Sequence, residues 1–342
     1  MRFVTRVAPV VLLVVVVLAV AAAPAAAWTR GAPATFATLP EGAGHPSGIT
    51  ADQAGNLYVT TFDVGSRGPG RLVVFDPRGR LVRQVTVAGS SALLLDVAFH
   101  PATGDLLVVD FGHQAARRVH PLTGASFVFA PIPGGSAAGP SGLTFDRAGN
   151  VYVSDAFQGV IWRTGPAGGE PSAWVSGPLL ATAGVPPFGA NGLAFDRAET
   201  ALFVANTGSD TVVRVPVAGG AAGTPGVFVH GVNGADGLMI DDEGRIWVAA
   251  NQADEIVVLD PSGRVIAKLG DFGGLDARGA PRGLLFPADL VRSGEFVYVT
   301  NLALDLRRFG VPEPVDGQWA AEVRTHTIAR IPARVPPVAG LR

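Results

Sequence analysis

One short pattern recurs six times along this chain, at intervals of 45 to 50 residues. It stands at Ser47-Gly-Ile-Thr-Ala-Asp52, Asp96-Val-Ala-Phe99, Ser141-Gly-Leu-Thr-Phe-Asp146, Asn191-Gly-Leu-Ala-Phe-Asp196, Asp236-Gly-Leu-Met-Ile-Asp241 and Arg282-Gly-Leu-Leu-Phe286. Each copy leads through a turn into a second apolar run, such as Asn56-Leu-Tyr-Val-Thr60 or Ile246-Trp-Val-Ala-Ala-Asn251, and then into a third, such as Thr211-Val-Val-Arg-Val-Pro216. A weaker fourth run closes most copies, as in Gly226-Val-Phe-Val-His230. Four short strands repeated at this period define a propeller blade, in which sheets arranged radially cover one another's faces. The expected fold is therefore all-β, a six-bladed β-propeller of four-stranded antiparallel blades. With 45 Gly, 27 Pro and only 16% charged residues, the composition agrees with many turns and argues against helical bundles.

The sixth copy lacks a fourth strand after Pro332, and residues 35–39, Thr-Phe-Ala-Thr-Leu, look like one standing ahead of the first copy. This N-terminal strand is expected to pair into the last blade and close the ring, which removes two exposed edges at once. Residues 28–335 then form a single propeller domain, with an insertion at 302–324 in the last blade and a Pro-rich tail at 336–342. Residues 1–27 carry Arg2 and Arg6, the apolar run 7–20 and Ala25-Ala26-Ala27 before Trp28, the layout of a secretory signal. The working protein is expected to be secreted or periplasmic, with no membrane association after cleavage, or membrane-anchored if the segment is kept. There is no cysteine, so disulfides, thiolate metal sites and cysteine nucleophiles are excluded. A net charge of −2 gives no reason to expect a nucleic-acid partner. The chain is expected to be a monomer.

In a propeller the residues before each repeat glycine face the central channel. Here they are Ser47, Asp96, Ser141, Asn191, Asp236 and Arg282. The exits of the second strands add Asp63, Asp110, His113, Asp155, Asn206, Asn251 and Asn301, and His45 precedes the first glycine. Carboxylate and amide oxygens converging on one point suit a hard cation, while the same residue types in loops also cap backbone amides. The Asp-x-x-Gly turns after the first strands, such as Asp52-Gln-Ala-Gly55, belong to hairpin geometry rather than to calcium loops.

The stretches Asn191-Gly-Leu-Ala-Phe-Asp196 and Asp236-Gly-Leu-Met-Ile-Asp-Asp-Glu-Gly-Arg-Ile-Trp-Val-Ala249 resemble the senescence-marker-protein/gluconolactonase/luciferin-regenerating-enzyme group. That resemblance implies a six-bladed, NHL-like propeller and a divalent-metal-dependent hydrolase of a lactone or small ester. It matches Asn191 and Asp236 to metal ligands and Asp236 to the catalytic general base. Ca²⁺ or another divalent metal is the implied cofactor, with Asp96 as a third ligand replacing what is lost elsewhere. The family's first-blade glutamate falls on Ser47, and its third-blade Asn-Asp pair falls on Pro140-Ser141. Arg282, His45, His113, Asn206, Asn251 and Asn301 are the candidate substrate contacts, and the 302–324 insertion is similar to a lid.

No Gly-x-Ser-x-Gly elbow, His-Glu-x-x-His pair or phosphate-binding loop is present. Two functions remain from different classes. One is a metal-dependent hydrolase of a small-molecule lactone or ester. The other is a non-catalytic NHL-type propeller that binds a sugar, peptide or cell-wall ligand on its channel face. A streptogramin-lyase-like enzyme shares the Pro-x-Gly-Ile repeat style but is disfavoured by the absence of a His/Glu cluster.

Overall fold

The computed structural model describes residues 31–335; the signal and tail readings fall outside them. Alternation of apolar residues with turn residues builds five sheets from consecutive strands and a sixth from both ends of the chain. Blade one is typical, with strands His45–Ala51, Leu57–Phe62, Arg71–Phe75 and Leu81–Thr86. Its second strand is buried throughout, while its fourth has no buried residue. Burial therefore decreases from the middle of each sheet to its rim. The Asp-x-x-Gly turns act as hairpin anchors: Asp52 Oδ1 accepts the backbone N–H groups of Ala54 and Asn56, and Oδ2 accepts the Asn56 amide and the Tyr58 hydroxyl.

The ring closes as expected. Ala34–Thr38 pairs antiparallel with Thr327–Pro332, from Ala34 opposite Arg330 to Thr38 opposite Thr327, and completes the blade that contains Pro287–Ser293 and Phe296–Asn301. Ala37 and Leu39 are buried in a core shared by blades six and one, with Val59, Tyr298 and Ile328.

One first strand is not where the repeat put it. Arg282-Gly283 lies in a separate hairpin, Phe272–Leu275 with Pro281–Gly283, and the sixth first strand is Pro287–Ser293. All six first strands share a bulge against their second strands, which aligns them without reference to sequence. The bulge falls between Pro46 and Ile49, Leu94 and Val97, Pro140 and Leu143, Ala190 and Leu193, Ala235 and Leu238, and Pro287 and Leu290. In this register the repeat glycines 48, 142, 192 and 237 are matched in blades two and six by Asp96 and Asp289. Asp96 is therefore one position further along than the repeat implied, and Asp289 is a ring residue the repeat missed.

The glycines are there for space. A Cβ on Gly192 would lie 2.5 Å from the carbonyl oxygen of Asp236, and one on Gly237 would lie 2.6 Å from that of Ala288. Neighbouring first strands meet backbone to backbone at the axis. Where an aspartate replaces the glycine, its carboxylate spans the seam: Asp96 Oδ2 accepts the Leu143 N–H at 2.7 Å, and Asp289 Oδ2 accepts the Ile49 N–H at 2.9 Å. Because the atom facing Gly192 is backbone and cannot rotate away, Gly192→Ala is expected to cost about 1–3 kcal/mol. Denaturant melts of the two proteins measure it, and an unchanged midpoint would contradict the packing described.

Candidate functional site

The channel widens into a cavity of about 350 Å³ between the first strands and the 302–326 segment that joins the second and third strands of blade six. Among the described residues its charged lining is Asp96, Asp236 and Asp289, with no Arg, Lys or Glu. Asn191, Asn251 and Thr207 stand beside Asp236. Asn251 Nδ2 donates to Asp236 Oδ2 at 3.0 Å, Asn191 Nδ2 donates to Thr207 Oγ1 at 3.0 Å, and the Thr207 hydroxyl donates in turn to the Ala235 carbonyl at 2.7 Å. Ser47 and Ser141 are buried and line the same floor.

Three acids enclosed together without a base are hard to ionise. Burial pushes Asp236 up to about 7, with the charge of Asp96 adding to the rise. Burial likewise raises Asp96 to about 6. Asp289 is pushed well above the usual carboxylate range by burial and then by the charges of Asp96 and Asp236. Its Oδ1 abuts Gly237, the residue after Asp236, so the two acids are neighbours across the blade five–six seam.

The mouth of this cavity is apolar. Leu302, Leu304 and Leu306 roof it and pack with Phe62 and Phe286. Around them runs a collar of phenylalanines contributed by four blades and the insertion. Phe62 meets Phe111 and Phe309, Phe111 meets Phe157 and Phe188, and Phe157 meets Phe188, with ring centroids 5.1 to 6.3 Å apart. Sequence reasoning passed over this collar. Its trace was present, since Phe62, Phe111 and Phe157 all sit at second-strand exits.

Of the candidate contacts, only Asn251 lines the cavity. Arg282 is exposed on the extra hairpin and does not reach the axis. Asn206 is fully buried, donating to the carbonyls of Leu179 and Ala181 and accepting from Ser209 N–H. Asn301 is bound to Gly283 O, Thr327 Oγ1 and Leu285 N–H. Both fasten loops, the alternative use of Asn at strand exits. His113 is exposed, 3.3 Å from Asp110 in a side pocket. His45 Nδ1–H donates to the Leu302 carbonyl at 2.8 Å, and the ring faces His326, ring centroids 4.4 Å apart. Burial lowers His45, and burial with His45 beside it lowers His326 to about 3.

The donor set does not fit a resident divalent cation. Calcium takes roughly six to eight oxygens at about 2.3–2.6 Å, and among the described residues no three acidic or histidine side chains converge on such a point. Asp96 and Asp289 each turn both oxygens onto backbone N–H groups, of Val97 and Leu143 and of Leu290 and Ile49. Asn251 Oδ1 has no partner and packs against Gly234. Asp96, expected to join Asn191 and Asp236 around one ion, has both oxygens bonded by backbone N–H groups at the seam.

Residues 187–270, which carry Asn191, Asp236 and Asn251, match the family described as "SMP-30/Gluconolactonase/LRE-like region". No curated protein matches the chain. Among solved structures, a gluconolactonase from Xanthomonas campestris superposes with a TM-score of 0.59 at 15% identity, covering 88% of this chain and 89% of that one. A calcium-binding protein, regucalcin, from Agrobacterium tumefaciens gives 0.59 at 16%, covering 91% and 98%. A streptogramin B lyase gives 0.56 at 15%, covering 79% and 80%. The chain is thus a six-bladed propeller resembling the gluconolactonase-like group. Identities this low carry the fold and not the reaction.

The acids leave a signature in stability. Burial raises Asp236 to about 7, Asp254 to about 8 and Asp289 well above the usual carboxylate range, so in the folded state these groups keep protons that the unfolded chain releases near pH 4. Stability from such groups is full at low pH and is lost as pH rises through their folded values. His45 and His326 are lowered, so they act oppositely, but only below about 6.5 where an unfolded histidine gains its proton. Above that the carboxyls act alone. The melting temperature is expected to fall between pH 6.5 and 8.5, and Asp236→Asn to make the fall shallower; a rising curve would contradict the protonation described.

Proposed function

We propose that the channel is the active site of a hydrolase that opens a neutral lactone or small ester, with Asp236 moving the proton. The observation that carries it is the cavity in which Asp236 stands among Asn251, Asn191 and Asp289 with no basic residue among the described lining. The match over 187–270 supports the same reading.

In its ionised form Asp236 takes a proton from water as the water oxygen bonds to the acyl carbon. Near neutral pH it is divided between its two forms, so it can also return the proton. Asp289, whose hold on a proton is raised by burial and by the neighbouring acids, donates an O–H to the carbonyl oxygen in its protonated form, while its oxygens still accept the seam N–H groups. The bond from acyl carbon to ring oxygen then breaks, and Asp236 gives its proton to the leaving oxygen. Lactone and water become a hydroxy acid. That product ionises on release, and the described lining holds no Arg or Lys to retain its carboxylate. No step uses a metal.

Asp236→Asn is expected to lower kcat by about 10²–10⁴-fold while substrate still binds. The pH profile of kcat/KM is expected to be bell-shaped, rising as Asp236 ionises and falling as Asp289 does. Turnover is expected to persist in a chelator; activity abolished by chelation and restored by calcium would replace this mechanism with a metal-dependent one. Binding without turnover across a lactone panel would instead favour the ligand-binding propeller. On sequence grounds we further propose that residues 1–27 direct the chain out of the cytoplasm and that the propeller acts as a monomer on a small molecule.

A further inference from the structure

Resting on the hydrolase reading, we infer that the substrate is a lactone or ester with a bulky apolar tail, and that the leucine roof and phenylalanine collar select it against polyhydroxylated sugar lactones. A cavity of about 350 Å³ is at the small end of ligand pockets, so a bound molecule touches every wall. Above the acids those walls are Leu302, Leu304, Leu306, Phe62, Phe188 and Phe286. None offers a hydrogen bond.

The polar groups of the cavity lie at the floor, away from the leucine roof, and several of them are committed. Thr207 both accepts from Asn191 and donates to Ala235, and Asn251 is bound to Asp236. Asp96 and Asp289 spend their oxygens on backbone N–H groups. A sugar lactone would place several hydroxyls against the roof, each leaving water without a partner, which is costly for every group so buried. An apolar tail gains on the same wall, about fourfold per methylene removed from water. A negatively charged substrate is disfavoured as well, because none of the described residues lining the cavity is an Arg or Lys. The collar extends the apolar surface outward to Phe157 and Phe309, both exposed, so a tail longer than the cavity still lies on aromatic rings.

The test compares the purified protein on δ-valerolactone, δ-octalactone, δ-decalactone and δ-gluconolactone. kcat/KM is expected to rise about three- to fivefold per added methylene until the cavity is filled, with δ-gluconolactone at least about a hundredfold below δ-decalactone. Leu304→Asn is expected to cut the ratio of decalactone to valerolactone rates by about tenfold, and Leu304→Met to preserve it. A sugar lactone hydrolysed as well as the alkyl lactones would overturn the inference and leave the hydrolase reading standing. If no lactone is hydrolysed, the hydrolase reading fails, and calorimetric binding of the same panel decides: affinity climbing with tail length sustains the apolar pocket, and affinity independent of it overturns the pocket too.

Discussion

The closeness of neighbouring first strands at the axis governs the rest of this molecule. At Gly192 and Gly237 there is no room for a single Cβ before the backbone of the next blade. Six strands held this tightly fix how wide the channel can be and how far in any side chain on them must stand. Blades two and six depart from glycine, and the acid introduced there is bonded by the N–H groups of the adjoining blade. Two of the three channel carboxyls are thus part of the frame that makes the channel.

That arrangement explains how acids with unusual proton affinity arise without a metal or a base beside them. A carboxylate in a wet loop stays ionised at neutral pH, as the turn aspartates do beside their N–H donors. The channel acids are surrounded by one another and by hydrocarbon, so ionising each is opposed by burial and by its neighbours. The insertion of the last blade strengthens this by roofing them with leucine. Chemistry at the floor and selectivity at the mouth have one physical origin, the exclusion of water by the same few side chains.

The repeat was readable because each blade spends its residues on one task, and strand after strand keeps the same order of apolar runs and turns. Closure by the N-terminal strand was readable for the same reason, as a fourth strand missing at one end and spare at the other. The register failed where a residue had been substituted for a purpose. Asp289 replaces the glycine that marks the motif, while Arg282-Gly-Leu-Leu-Phe copies the motif in a hairpin where Gly283 serves a positive φ of 89°. Asn251 was read as one of a set with Asn206 and Asn301, yet a shift of one position along the strand separates a channel residue from two loop fasteners. The collar could not be read from any one blade, because it exists only when loops from five parts of the chain meet.

Joining the two ends in one sheet also sets the order of folding. Ala34–Thr38 is among the earliest segments of the propeller to be synthesised, and its partner Thr327–Pro332 is among the last. Five blades can form from local hairpins as the chain lengthens, but the sixth must wait for a contact spanning almost the whole polypeptide, the kind that slows folding most. Until then the edge at Thr327–Pro332 has no cover, and a second chain's N-terminal strand could occupy it. The ring's own closing strand is therefore the element through which two copies would become entangled.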